Sequence, residues 1–266
     1  GTYTVRADDD TDGNKLAVKT DPGITTTGAI KDHPAENVMA VFTIPNSKNL
    51  SDTKNIKIDG KKPTITSANS TSEDNKTYKI GDNVNITLNF SEELTLANGT
   101  LDLTLNHGNV NNVVEIAAFN TSTSGAKNYE VAETDTSNHL DITSIAKSAA
   151  GTTLKDLGGN EPAQLVPTTT FGANKTIKID GNRPRVMKIR STKAAGYYKV
   201  GEIIPILIHF TEAVSTTAAN IVAATLETGS TNADAILTYG AFDDKTSATA
   251  NYTVRTNDYN TSLTVN

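Results

Sequence analysis

Apolar and polar residues alternate in short runs along this chain. The clearest run is Val84, Ile86, Leu88 and Phe90, with Asn85, Thr87 and Asn89 between them. A period of two puts the first set on one face of a strand and the second on the other, the signature of a half-buried antiparallel strand. Ile204, Ile206, Ile208 and Phe210 repeat it, and Pro205 on the outward side predicts an edge or a bulge there, because proline has no ladder donor. Between residues 61 and 181 the pattern predicts strands near 63–69, 83–91, 100–106, 112–119, 127–133, 139–146 and 174–180. Ser144 to Pro167 reads mainly as loop, with room for a short helical turn. Earlier in the chain, strands are predicted at Tyr3 to Arg6, Leu16 to Thr20 and Val38 to Ile44, around an acidic loop from Ala7 to Asn14 and a loop through Ile30-Lys31-Asp32.

These patterns recur. Lys54-Asn55-Ile56-Lys57-Ile58-Asp59-Gly60-Lys61-Lys62-Pro63 returns as Lys175-Thr176-Ile177-Lys178-Ile179-Asp180-Gly181-Asn182-Arg183-Pro184. Each copy reads as a strand ending, an Asp-Gly turn and a proline that opens the next strand, which makes it a domain junction. Tyr78 to Asp82 matches Tyr198 to Glu202, Leu101 to Gly108 matches Val222 to Gly229, and Asn128 to Val131 matches both Asn251 to Val254 and Thr2 to Val5. The period is about 120 residues, the size of a whole domain rather than of a solenoid or propeller unit. The chain therefore divides into the back of one repeat (1–60), a complete repeat (61–181) and the front of a third (182–266). Seven short strands with turns between them predict an all-β fold, tandem antiparallel β-sandwiches of immunoglobulin type.

Composition narrows the classes. With no cysteine there is neither a disulfide framework nor a thiolate metal site. A net charge of −6 argues against nucleic acid, whose phosphates need clustered Lys and Arg. No window approaches a membrane-spanning apolar run. Catalysis is not expected: His33, His107, His139 and His209 sit at unmatched positions, and no nucleophile triad or phosphate loop is visible. Tyr3, Tyr129 and Tyr252 recur in phase, which suits a structural aromatic.

Tyr78 to Asp82, Phe90 to Glu92, Asp156 to Asn160 and Gly172 to Asp180 resemble the bacterial Ig-like or cadherin-like tandem repeats of very large surface proteins. That resemblance covers nearly the whole chain and implies a stalk, adhesin or surface-layer component at the cell surface. The chain departs from the pattern in the loop Asp32-His33-Pro34-Ala35-Glu36-Asn37 and in its richness in Lys and Asn.

Two acidic groups are candidates for calcium. Asp8-x-Asp10-x-Asp12-Gly13 opens like an EF-hand loop, in which alternate carboxylates converge on a hard cation; the usual twelfth-position Glu is replaced by Lys19, and Asp21 is a substitute ligand. The alternative is an acidic hairpin loop. Repeat topology brings Asp59, Glu92, Glu93, Asp156 and Asn160 to one junction, and Asp180 and Glu212 to the next. Clustered carboxylates repel unless a cation sits among them, and Lys61, Lys62 and Lys155 offer an alternative neutralisation. Asn-x-Ser/Thr sequons make Asn49, Asn69, Asn75, Asn85, Asn89, Asn98, Asn120, Asn174, Asn251 and Asn260 glycosylation candidates.

The functional expectation is a structural, non-enzymatic segment of an extracellular or cell-surface protein. Its partners are neighbouring repeats or copies of itself. Two alternatives stand beside it: an adhesin module that binds a glycan or host protein through its loops, and a filament subunit assembled by strand complementation, since residues 1–60 and 182–266 are complementary halves of one repeat.

Overall fold

A computed structural model describes residues 1–19, 24–27, 42–108, 113–217, 222–229 and 233–265. His33, Asp21 and the start of the strand expected at Val38 lie outside these residues. The chain is almost all β, 45% strand and 3% helix, which settles the class. It forms two compact units, Gly1–Asn182 and Arg183–Asn266.

The first unit opens on a segment without regular strands. At Tyr3 to Arg6, and over the described part of the strand predicted at Leu16 to Thr20, no strand forms; the segment is held by single bonds instead, Leu16 N–H donating to Ile56 O at 2.6 Å and, in the loop between, Thr11 N–H to Ile58 O at 3.0 Å. A single helical turn follows, α1 (Leu50–Thr53), capped by the Asn49 side chain. Then come β1 (Ile65–Asn69), β2 (Thr77–Lys79), β3 (Asn83–Ala97), β4 (Leu101–Leu105), β5 (Val113–Ile116), β6 (Phe119–Glu130), β7 (Thr136–Ser137), β8 (Ile142–Lys147), β9 (Thr153–Lys155), a second helical turn α2 (Phe171–Asn174) and β10 (Lys178–Asp180).

One sheet runs β1-β3-β6 with β9 also on β3, a second runs β5-β4-β8, and a third runs β2-β10-β7. All pairs are antiparallel except β10 with β2, which is parallel. Between the sheets lies one apolar core that includes Ile86, Leu88, Leu103, Leu140, Phe171 and Ile177, each fully buried. Burying a side chain of this size stabilises the fold by about 1.5–3 kcal/mol.

Strand β3 obeys its alternation as far as Phe90, and then the next buried positions are Leu94 and Leu96. Its pairing with β6 shifts register between Asn89 and Leu94. Ser91-Glu92-Glu93 is thus a bulge in the pairing, and it leaves Glu92 half-buried in the inward phase of the strand between Phe90 and Leu94. The stretch from Ser144 to Pro167 is mainly loop, as expected, apart from the end of β8 and the short β9, and the helical turn lies later, at Phe171.

The second unit contains β11 (Val186–Ser191), β12 (Ile203–Thr216), β13 (Val222–Glu227), β14 (Ala235–Tyr239), β15 (Phe242–Thr253) and β16 (Thr264–Val265), in sheets β11-β12-β15 and β14-β13-β16. Strand β11 ends at Ser191 opposite Ile206, so Pro205 has a neighbour, Asn251, on one side only. Its core is Ile204, Ile206, Ile208, Leu226, Leu237, Tyr239 and Tyr252 with smaller residues.

The two units repeat local detail. Gly81 and Gly201 both turn with positive φ, +82° and +85°. Each gives its N–H to the residue just after β6 or β15, at Val131 O and Val254 O. Lys79 N–H is capped by Asp82, as Lys199 N–H is by Glu202. The bulge recurs as well, with β12 shifting register against β15 between His209 and Val214, around Glu212.

Candidate metal centre

Three chain segments of the first unit supply three carboxylates to one place. Asp59 comes from the junction segment, Glu92 from the bulge of β3, and Asp156 from the residue just after β9, whose pairing with Thr95 to Ala97 sets it beside the bulge. One oxygen of each lies within 4.8 Å of the others. Asp156 is buried, and Asp59 and Glu92 are half-buried.

The Asp156-Leu157-Gly158-Gly159-Asn160 turn holds the group together. Asp156 Oδ1 accepts the Asn160 backbone N–H at 2.8 Å, and Oδ2 accepts the Asn160 side-chain amide at 3.0 Å. That same Nδ2 donates to the Asp59 carbonyl at 3.0 Å. Gly159 has φ +91°, and a Cβ on Gly158 would lie 2.8 Å from Asp59 Oδ2. The glycine pair is needed for one residue's backbone angle and the other's close approach.

Asp10 is bridged across to Asp59. Asp10, Asp12, Lys61, Glu92 and Leu157 line a cavity of about 690 Å³ over the cluster. The acidic loop therefore adds to the junction rather than closing on itself: Asp10 Oδ1 caps the Asp12 N–H at 2.7 Å, and Asp8, with φ +68°, does not line the cavity. Glu93 is exposed outside the group. Asp180 ends β10 in the first unit, while Glu212 sits in β12 of the second.

Burial raises the Asp59 carboxyl above its ordinary value, and the charge of Asp156 raises it further. Glu92 is raised in the same way, by burial first and then by Asp156 and Asp59. Lys61 opposes both shifts. Among the described residues Lys61, Lys62 and Lys155 form no ion pair with the cluster within 4.0 Å. The Asn160 amide, the Lys61 backbone N–H and the charge of Lys61 offset part of the repulsion. The donors are all hard oxygens, which suits calcium or magnesium and not the soft or nitrogen-rich sets that select zinc or copper.

The recurring tyrosines have a structural partner that the acidic-loop reading did not assign. Tyr3 donates to Asp9, Tyr129 to Asp135 at 2.5 Å and Tyr252 to Asp258 at 2.5 Å, each six residues on. The same carboxylates accept the backbone N–H of Arg6, Ala132 and Arg255. Asp135 and Asp258 are thus pins for a corner. Burial and the carboxylate push Tyr252 up to about 12, and Tyr129 is raised more strongly for the same reasons. In the complete repeat His107 stacks on Tyr129 and sets Nδ1 3.2 Å from Asp135 Oδ1. No sequence signal marked it, since the other copies have no histidine there.

No protein-family model and no curated protein matches this chain.

The sequons divide by geometry. Asn49 caps α1 and bonds both backbone groups of Val18, Asn174 Nδ2 donates to Ala68 O at 2.7 Å, and Asn260 Nδ2 to Glu227 O at 2.9 Å. Asn85 and Asn89 bond Asn128 and Ser67, Asn75 bonds Asp74, and Asn69 accepts from Ser70. Asn98, Asn120 and Asn251 are exposed. Of the Tyr197-Tyr198 pair, Tyr197 is fully exposed and Tyr198 donates to Ala194 O.

Proposed function

We propose that this chain is a structural, non-enzymatic segment of a long extracellular or cell-surface protein, built of Ig-like β-sandwich repeats, whose junction carboxylates hold calcium. The observation that carries the reading is the junction itself. Gly60 and Gly181 are both threaded against the corner of the preceding tyrosine loop, where an added Cβ would meet Arg6 O at 2.3 Å in one and Ala132 O at 2.3 Å in the other. Asp8 N–H and Thr134 N–H bond the carbonyls of these two glycines at 3.1 and 2.9 Å. A chain that locks each exit strand in the same way serves to hold successive domains on a short connection rather than to present a reactive cleft.

Asp59, Glu92 and Asp156 would hold the cation, with Asp10 at its rim. The ion would neutralise the cluster and tie the junction segment to the repeat that follows it. Thermal unfolding with EDTA, calcium or magnesium tests this: calcium should raise the melting temperature of the first unit and EDTA should reverse it. An identical melting curve in all three would remove calcium from the proposal. A glycan- or peptide-hydrolysing activity lost on substituting one of these carboxylates would overturn the non-enzymatic reading.

A further inference from the structure

The outward face of the β11-β12-β15 sheet differs in kind from its counterpart in the first unit. On the β1-β3-β6 sheet that face is a neutral polar surface bonded to itself: Asn89 Nδ2 donates to Ser67 Oγ at 3.0 Å, Thr87 Oγ1 to Asn85 Oδ1 at 2.9 Å and Asn85 Nδ2 to Asn128 Oδ1 at 3.3 Å. None of these residues is buried, although Thr168 and Thr169 are bonded along the edge of β1 and the repeat is closed. This face is therefore an outer surface of a complete sandwich.

Strand register carries each position across to the second unit. Ile203, Pro205, Leu207 and His209 stand where Asn83, Asn85, Thr87 and Asn89 do, and Lys188 and Arg190 take the places of Ser67 and Asn69. Three stripes result, one per strand and about 5 Å apart. Lys188 and Arg190 make a cationic stripe on β11, both exposed. Ile203, Pro205 and Leu207 make an apolar one on β12, with Ile203 50% exposed. Opposite Leu207 and Pro205 on β15 stand Thr249 and Asn251, both exposed and polar. His209 ends the apolar stripe and accepts the Arg190 Nε–H on Nε2 at 2.9 Å, a bond that uses one of the five guanidinium donors. Desolvation holds the His209 pKa below its ordinary value, and the charges of Arg190 and Lys188 lower it further, so both cations stand close to the ring. No Asp or Glu occurs in 188–190, 203–209 or 247–253, and Thr253 replaces Glu130.

The three stripes together fit one class of partner. A pyranose ring has an apolar C–H face and a hydroxyl edge, and a uronic acid adds a carboxylate at its rim, which the forked guanidinium can take with two bonds. A peptide would add to a strand edge instead of lying over a sheet face. An anionic membrane is held by clusters of about four to eight Lys and Arg, and single-stranded nucleic acid by stacked aromatic side chains, which this face lacks.

We propose that the outward face of the β11-β12-β15 sheet binds a uronate-bearing polysaccharide, with sugar C–H faces on Pro205 and Leu207, carboxylates on Arg190 and Lys188, and hydroxyls on Thr249 and Asn251. This adds a binding role to the structural one and does not depend on a cation at the junction.

Titration calorimetry of the whole, unglycosylated chain in EDTA, with oligogalacturonate and with alginate oligomers, tests the proposal. EDTA removes calcium bridges between carboxylates, and unglycosylated protein keeps the Asn251 sequon from covering the face. Arg190→Asn and Leu207→Thr each install the residue of the first unit's face, so circular dichroism should show an unchanged fold. The wild type should bind a uronate oligomer, and either variant should bind it about tenfold more weakly or worse. A neutral galactan and a polyglutamate of matched charge should both bind about tenfold more weakly than the uronate. A wild-type chain that binds neither uronate oligomer would overturn the proposal. So would polyglutamate binding as tightly as the uronate, or a Leu207→Thr protein that binds like the wild type, since either would reduce the face to a patch for any polyanion.

Discussion

Replacing Glu92 by Gln is the cleanest probe of the junction, because Glu92 contributes charge to the cluster without a side-chain hydrogen bond that the change would break. Its carboxylate faces those of Asp59 and Asp156 with oxygens within 4.8 Å. Two like charges at that distance repel by about 3.5 kcal/mol at an effective dielectric of about 20, and by about 0.9 kcal/mol in bulk water. Asp59 and Glu92 are half-buried, so the lower part of that range applies, about 1 kcal/mol per pair. Removing two pairs should stabilise the cation-free first unit by about 2 kcal/mol, a rise of roughly 4–8 °C in its transition for a unit of this size. Calcium should reverse the order, since the wild type gains a ligand that the variant lacks. Differential scanning calorimetry in EDTA and in calcium reads both, and separates the transitions of the two units. A Glu92→Gln protein that melts lower in EDTA, or that responds to calcium as fully as the wild type, would refute the electrostatic account.

Other consequences are as direct. Gly60→Ala and Gly181→Ala each force a Cβ to 2.3 Å from a backbone carbonyl oxygen, and should destabilise the first unit by about 1–3 kcal/mol or more; denaturant unfolding of both variants should show similar losses. Tyr129→Phe strips a donor from the buried Asp135 and should cost about 1.5–3 kcal/mol, whereas Tyr3→Phe, on an exposed pair, should leave the melting curve nearly unmoved; equal losses would sink the burial argument. In cation-free buffer Asp59 and Glu92 sit above their ordinary values of 3.8 and 4.5, so the folded state binds their protons more readily than the unfolded one. Their stabilisation is full below the ordinary values and is lost as pH rises through the raised ones. The first unit should therefore be more stable in mild acid than at neutral pH without calcium, and the reverse with it. Asp9 and Asp74 have the opposite sign, being held low chiefly by the Tyr3 hydroxyl and the Thr176 N–H, and lose their contribution at lower pH. A cation-free melting curve that only falls from neutral pH into mild acid would contradict this balance.

Much of the architecture could be read from alternation. Val84 to Phe90 is strand because each second residue is apolar, whereas the bulge shows in the sequence only as Glu92 standing at an inward position between Phe90 and Leu94. The three-residue strands Thr77–Lys79 and Thr153–Lys155 are too short to show a period, and were found only where neighbours pair with them. The helical turns at Leu50 and Phe171 likewise carry no 3.6-residue signal over four residues. The meeting of Asp59, Glu92, Asp156 and Asn160 followed from repeat topology, whereas the Asp8-x-Asp10-x-Asp12-Gly13 spacing suggested a self-contained loop that the cross-chain bridge of Asp10 to Asp59 draws into the junction. The six-residue step from tyrosine to aspartate stood in plain view three times. It went unassigned because hydrogen bonds around a corner leave no hydrophobic pattern.

The parallel pairing of β10 with β2 has a mechanical meaning. Strand β10 leaves the first unit beside β2, and the two run in the same direction. Tension applied at Gly181 pulls β10 along its length against β2, so their hydrogen bonds are sheared together instead of opening one after another. Resistance to such a pull is set by the unfolding barrier and not by equilibrium stability. Three residue pairs in register, Lys178 with Thr77, Ile179 with Tyr78 and Asp180 with Lys79, would then act as the clasp that bears the load.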